Sequence, residues 1–307
     1  MSIPPSGRQF EIGLGKQRAT VVEVGGGIRE YAVGERAVLE PYPLQSICDG
    51  AHGAPLIPWP NRVAGGRYRF DGSDHQLALT EPARGNAIHG LLRWRPWSMR
   101  EHGPFHAILQ TRLLPTPGYP FALDLQIAYQ LGRAGLTVAT TAVNIGERPC
   151  PYGAGQHPYL SPGHGMVDDC TLEVPAARRL ATDERMIPSG GEPVAGTAFD
   201  FRRARPIGTT ALDVALTDLA RAEGGRATVR LTGPDGRRVE LWVDEHHGFL
   251  ELFTGDSLEP SRRRGGLAVE PMTCAPNAFQ SGDGLLRLEP GESITTSWGV
   301  GLTDTPG

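Results

Sequence analysis

Residues 123–144 read LDLQIAYQLGRAGLTVATTAVN, and this stretch decides the fold. Leu123, Leu125, Ile127 and Leu131 fall on one face of an extended chain, while Asp124, Gln126 and Gln130 fall on the other. That two-residue period marks a half-buried strand. Gly132-Arg-Ala-Gly135 turns the chain, and LTVATTAVN returns it as the second arm of a hairpin. The same grammar recurs in ATVRLTGPDGRRVELWVD, residues 227–244. There Val229 and Leu231 lead into Pro-Asp-Gly, and Val239, Leu241 and Val243 lead out. Proline presets φ and glycine accepts positive φ, so Pro-Asp-Gly is a turn with a mechanism. GFLELF (248–253) and SITTSWGVGL (293–302) read as further strands.

The 41 glycines and 27 prolines among 307 residues are spread along the chain, punctuating many short strands. Helical spacing is scarce. Its best instance, TTALDVALTDLA (209–220), is expected to form a short helix or an apolar loop. Residues 183–206, rich in Gly, Pro and Arg, read as a long surface excursion. No fixed-period repeat points to a solenoid or propeller. The expected architecture is all-β: one large antiparallel β-sandwich over residues 1–307, with few short helices.

The formal net charge of −4 and the short, isolated arginine groups argue against a nucleic-acid partner. No window approaches a membrane-spanning run. The four cysteines, Cys48, Cys150, Cys170 and Cys274, form no CxxC pair, so neither a zinc site nor a redox motif is indicated. Four thiols and an N-terminus without a signal-peptide pattern suggest a cytoplasmic protein. Neither a phosphate-binding loop nor a dinucleotide fingerprint is present. No cofactor and no metal are expected.

Some segments carry chemistry rather than packing. PLIPWPNRVAGGRYRFDG (55–72) holds Asn61 and Arg62, and arginine offers a rigid fork of donors suited to hydroxyls and carboxylates. NAIHGLLRWRPW (86–97) sets His89 between a small apolar segment and glycine. GAGQHPYL (153–160) sets His157 before Pro-Tyr. LAVEPMTCAPNAF (267–279) places Glu270 at the end of an apolar run, where a carboxylate is costly without a partner or a function. Partial burial would raise its pKa toward the range of a general base. Asp213 lies in another apolar run. Asp244, His246 and His247 read as a polar turn, because adjacent strand residues point to opposite faces.

Taken in order, PWPNRVAGGRYRFDG, NAIHGLLRWRPW, GAGQHPYL, FDFRRARPIGTTALDVALTDL and VEPMTCAPNAF resemble the aldose 1-epimerases, or mutarotases, nearly end to end. The resemblance implies a galactose mutarotase-like β-sandwich with a monosaccharide in a cleft on one face. It implies that Glu270 is the general base at the anomeric hydroxyl and His157 the general acid at the ring oxygen. His89 would bind and polarise the sugar near that oxygen, and Arg62, Asp213 and Asn61 would bind its hydroxyls. Asp218 competes with Asp213, because the family often has Asp-His-Asn where this chain has Asp213-Val-Ala. The family's aspartate in Pro-Asp-Ala is Asn277 here. The implied activity is interconversion of α and β anomers of a free aldohexose by a monomer or homodimer. A hexose-phosphate, acidic or sulfonated sugar, or a binding module without turnover, are the competing readings.

Overall fold

In a computed structural model of the chain, residues 3–304 are described. Two antiparallel sheets dominate. The larger has twelve strands, running in space Gln9–Leu14, Gln17–Val22, Ile28–Val33, Arg36–Leu39, Tyr159–Leu160, Leu267–Met272, Phe249–Phe253, Asp213–Leu219, Ala176–Thr182 and Pro188–Pro193. Gly155–Gln156 and Pro55–Leu56 attach beside its centre. The nine-stranded sheet runs Ser98–His102, His106–Leu113, Leu123–Gly132, Gly135–Asn144, Ser293–Asp304, Arg237–Val243, Ala227–Thr232, Thr171–Glu173 and Arg205–Pro206. The sheets share one apolar core, to which Ile12, Val21, Tyr31 and Val38 contribute from one side and Leu109, Ile127, Val138 and Val300 from the other. This is the large antiparallel β-sandwich expected from the alternation.

The deciding hairpin pairs residue for residue from Leu123↔Asn144 to Gly132↔Gly135. Its burial alternates as read, with Leu123, Leu125, Ile127 and Leu131 all in the core. Polar ties also cross the core. The Tyr129 hydroxyl donates to the Gly26 carbonyl at 2.5 Å and accepts from Gln156 Nε2 at 3.2 Å, while Trp298 Nε1 donates to Gln156 Oε1 at 3.2 Å. Buried hydroxyl, amide and indole groups are thereby satisfied inside an apolar layer.

Two expectations are corrected. The TTALDVALTDLA segment is neither helix nor loop: Asp213–Leu219 is a strand, paired on one side with Phe249–Phe253 and on the other with Ala176–Thr182. Val214, Ala215 and Leu216 are all buried, so both faces of the strand are covered and the alternation that identifies a half-open strand is lost. The excursion 183–206 is exposed over much of its length, but it contains the edge strand Pro188–Pro193 and the short strand Arg205–Pro206. The described regular elements also include three two-stranded ribbons, Arg62–Ala64 with Asn86–Ile88, Arg67–Phe70 with Ser73–Gln76 and Cys150–Tyr152 with Leu286–Leu288, together with one short helix, Ala278–Ser281, and a 3₁₀ turn at Val167–Asp169. No described helix is long and apolar enough to cross a membrane.

Candidate active site

The site lies on the outer face of the larger sheet, over three adjacent central strands. Glu251 stands directly opposite Glu270 in the antiparallel register, and Ala215 stands opposite Glu251. Asp213 is two residues from Ala215, so it shares that face. Three neighbouring strands therefore present Asp213, Glu251 and Glu270 as a row of carboxyl groups. A pocket of about 280 Å³ opens over them, lined also by Asn61, Arg62, Glu81, His89, Arg93 and His157.

His157 follows the strand Gly155–Gln156. Its backbone is pinned between the Ala54 carbonyl, which accepts from its N–H at 3.0 Å, and Gly53, whose N–H donates to its carbonyl at 2.8 Å. The ring is stacked on Tyr159 at 5.0 Å and meets the His89 ring edge-on at 5.5 Å. Its Nε2 lies 3.1 Å from Glu270 Oε1, with both side chains buried. Glu270 Oε2 and His157 Nδ1 have no protein partner.

His89 owes its position to an unusual backbone. It has φ 60° and is followed by Gly90 at φ 69°. A Cβ on Gly90 would sit 2.0 Å from the Ile57 carbonyl oxygen, so only glycine lets the chain pass there. The His89 N–H donates to the Asn61 carbonyl at 2.9 Å, and the Asn61 N–H donates back to His89 Nδ1 at 3.2 Å. Nδ1 is thus an acceptor, and the neutral ring carries its proton on Nε2.

Asn61 is itself in the left-handed region, at φ 53°. Its side chain donates to Glu251 Oε2 at 3.1 Å and accepts from the Arg62 N–H at 2.9 Å. Arg62 makes a two-pronged pair with Glu81, at 2.9 and 3.0 Å. Arg84 and Asn86 also donate to Glu81, at 2.9 and 3.1 Å. Asp213 reaches solvent at the pocket mouth. Asp218 is outside the pocket, exposed and 3.7 Å from Arg178, whereas Asp213 lines the pocket.

Burial governs the protonation of these groups. Loss of hydration, then the nearby Asp213 charge, raises Glu270 well above the usual carboxylate range, against the pull of Arg62 and Arg93. Burial, then Asp213 and Glu270, does the same to Glu251. Burial raises Asp213 as well. Burial lowers His157 to about 3, with help from His52 and Arg93, and lowers His89 well below its ordinary value. The resting His157–Glu270 contact therefore favours a neutral imidazole beside a neutral carboxyl. At that distance a proton can pass between the two groups.

The six residues singled out in the sequence, Asn61, Arg62, His89, His157, Asp213 and Glu270, all line this one pocket. Glu251, Glu81 and Arg93 are additional. Glu251 carried a legible signal, a glutamate inside the apolar run GFLELF, and Arg93 one too, a cation close to His89 in NAIHGLLRWRPW that a charged sugar would call for; Glu81, in an irregular segment, carried none. Among the aromatics, Phe253 lines the pocket, Trp59 packs in the core against Phe279 at 5.4 Å, and Trp94 is exposed. His247 Nδ1 bonds Asp244 at 2.7 Å in a turn, away from the pocket. All four cysteines are buried and unpaired. Ligand-capable atoms of His89, His157 and Glu270 lie within 4.8 Å of one another, so this trio is where a divalent ion would bind if one did.

Comparison with known proteins agrees with this picture. The Aldose 1-epimerase family profile matches residues 8–299. The chain is 36% identical over 289 residues to the uncharacterized protein YihR of Escherichia coli K12, covering 94% of this chain and 91% of that one. It is 27% identical over 278 residues to an aldose 1-epimerase of the same organism, covering 80% and 78%. In three dimensions it superposes on an aldose epimerase homologue from C. elegans with a TM-score of 0.87 at 18% identity, covering 97% and 99%. A putative aldose 1-epimerase from E. coli K12 gives a TM-score of 0.85 at 20% identity, with the same coverage. The chain belongs to the aldose 1-epimerase family.

Proposed function

We propose that the protein is a mutarotase, interconverting the α and β anomers of a free aldohexose without metal or cofactor. One observation carries the reading: Glu270 and His157 meet at 3.1 Å on the floor of a hydroxyl-binding pocket, with His89 against the same ring. Opening a hemiacetal breaks the O1–H and C1–O5 bonds and forms C1=O1 and O5–H. Glu270 takes the O1 proton through its unpartnered Oε2, and His157 delivers a proton to O5. For this, the proton shared by the pair moves from Glu270 to His157 as the sugar binds. The aldehyde then rotates about C1–C2 and recloses on its other face with the roles reversed. His89 donates from Nε2 toward the ring oxygen. Arg62, held rigid by Glu81, and Asn61 and Asp213 orient the hydroxyls, which supplies positioning. Polarimetry of freshly dissolved α-glucose and α-galactose tests the reading, with acceleration over the solvent rate expected for at least one. Tight sugar binding at the solvent rate of exchange would instead identify a binding module.

A second reading is favoured by Arg93. It lines the pocket and has no carboxylate partner among the described residues, contacting instead the Ile88 carbonyl at 3.4 Å and the Trp94 ring. Arg62 and Arg84, by contrast, are both paired with Glu81. A free guanidinium suits a sugar bearing a phosphate, carboxylate or sulfonate. Under this reading, Arg93→Ala raises KM for an anionic aldose about 10- to 100-fold while leaving glucose unaffected, the range of one charge-assisted hydrogen bond.

A further inference from the structure

Glu251 lies at the centre of the carboxyl row, yet the chemistry above does not use it. It is 4% exposed. On one side it faces Glu270 across the strand pair. On the other it lies within hydrogen-bonding reach of Asp213. Asn61 Nδ2 occupies Oε2 at 3.1 Å. The one cation acting on it, Arg62, is committed in two-pronged fashion to Glu81. Among the described residues, no cation forms an ion pair with Glu251 or Asp213. Two carboxyl groups in contact, Glu251 buried and Asp213 at the pocket mouth, neither of them ion-paired, do not both ionise, and the stable arrangement holds one proton between them.

We infer that Glu251 is a positioning residue that shares a single proton with Asp213. In that form the pair offers the sugar one donor and one acceptor, holds Asp213 in place, and keeps a second negative charge away from Glu270. Glu251 also completes a chain of contacts, His89 to Asn61 to Glu251 to Asp213, joining the ring-oxygen side of the pocket to its hydroxyl side. The charged and titratable groups facing Glu251 are Glu270, Asp213 and Arg62, with His89 reached through Asn61. The kinetic arm of the test below rests on the mutarotase reading; the spectroscopic arm does not.

Glu251→Gln keeps an acceptor for Asn61 and a donor for Asp213 but cannot ionise; Glu251→Ala removes both contacts. In the infrared difference spectrum of wild type minus Glu251→Gln at neutral pH, the carbonyl band of a protonated carboxylic acid is expected. A difference containing only carboxylate bands overturns the proposal whatever the enzyme turns over. In polarimetry, Glu251→Ala is expected to raise KM about 10- to 100-fold, the loss of one hydrogen bond to a charged group. Glu251→Gln should recover most of that loss. Wild type should lose kcat/KM at alkaline pH as the shared proton leaves, and Glu251→Gln should lack that limb. Superimposable pH profiles, or a glutamine variant as impaired as the alanine one, refute the positioning role. A wild type with no mutarotase activity refutes the function reading and leaves the infrared result to decide the shared proton. Thermal melts of both variants establish that they are folded.

Discussion

Replacing Glu270 by glutamine preserves nearly every atom of the site and removes one capacity, that of holding a proton in exchange with His157. The strand Leu267–Met272 is buried along its whole length, so an isosteric change there leaves packing intact. The amide still reaches His157 across the 3.1 Å contact. It cannot accept the O1 proton. A positioned general base contributes about 10²–10⁴-fold, so kcat should fall by that factor, or about 3–5 kcal/mol of transition-state stabilisation at 1.36 kcal/mol per tenfold. KM should change little, because Arg62, Asn61 and Asp213 remain. Stability should hold or rise, since a buried carboxyl that strongly resists ionisation is replaced by a neutral group. Polarimetry of α-glucose or whichever sugar wild type accelerates, with a coupled anomer-specific assay for initial rates, reads kcat and KM separately. A variant within about threefold of wild-type kcat, far below what a general base supplies, refutes the assignment. A large loss accompanied by a lower melting temperature would trace the effect to the fold rather than to proton transfer.

His157 should also govern acid stability. Its folded pKa is lowered to about 3 from an ordinary 6.5, so the unfolded chain binds the extra proton between those values and stability falls as pH drops through that window. The raised carboxyls act with the opposite sign, favouring the fold below their unfolded values and losing that advantage as pH rises, so the comparison must isolate the histidine. Between pH 6.5 and 5, wild type should lose about 1.6 kcal/mol relative to His157→Gln in chemical denaturation, since the slope reaches 1.36 kcal/mol per unit only once the unfolded histidine is fully protonated; parallel pH curves would contradict the burial argument. Gly90→Ala forces a Cβ to within 2.0 Å of the Ile57 carbonyl oxygen at φ 69°. It should cost at least ~2 kcal/mol in denaturant melts and depress activity by displacing His89. Tyr129→Phe removes the hydroxyl between Gly26 and Gln156 and should destabilise by about 1–3 kcal/mol, with anomer exchange unchanged because the group lies in the core and does not line the pocket. Exhaustive chelation followed by dialysis should leave the exchange rate unaltered. A rate lost on chelation and restored by a divalent ion would instead assign His89, His157 and Glu270 as ligands.

What the sequence made legible follows from where water lies. Strand Leu123–Gly132 touches core on one side and a wetter surface on the other, so its two-residue period is written in its side chains. Asp213–Leu219 and Phe249–Phe253 lie inside the larger sheet, with Val214–Leu216 and Phe249–Leu252 buried in succession, and these apolar runs carry no period to separate strand from helix. That loss of pattern has a useful consequence. In a strand covered on both faces, every ionisable residue is an anomaly that packing alone does not explain. The rule singled out Glu270 in LAVEPM, and applied to GFLELF it would have singled out Glu251 as well. What no single segment encodes is the register that sets the two carboxyl groups opposite each other, or the choice of Asp213 over Asp218. Those are relations between strands, fixed when Glu251 pairs with Glu270 and Ala215 with Glu251. The same holds for the two histidines. His89 and His157 come from irregular segments well separated along the chain, and they meet because Gly90 passes under the Ile57 carbonyl and Gly53 and Ala54 hold the His157 backbone. The chemistry-bearing residue types are thus local properties of the sequence, recognisable by the cost of burying them, whereas their grouping is a property of the sheet. An active site on a β-sandwich face is read from sequence by listing costly burials and is assembled only by the register.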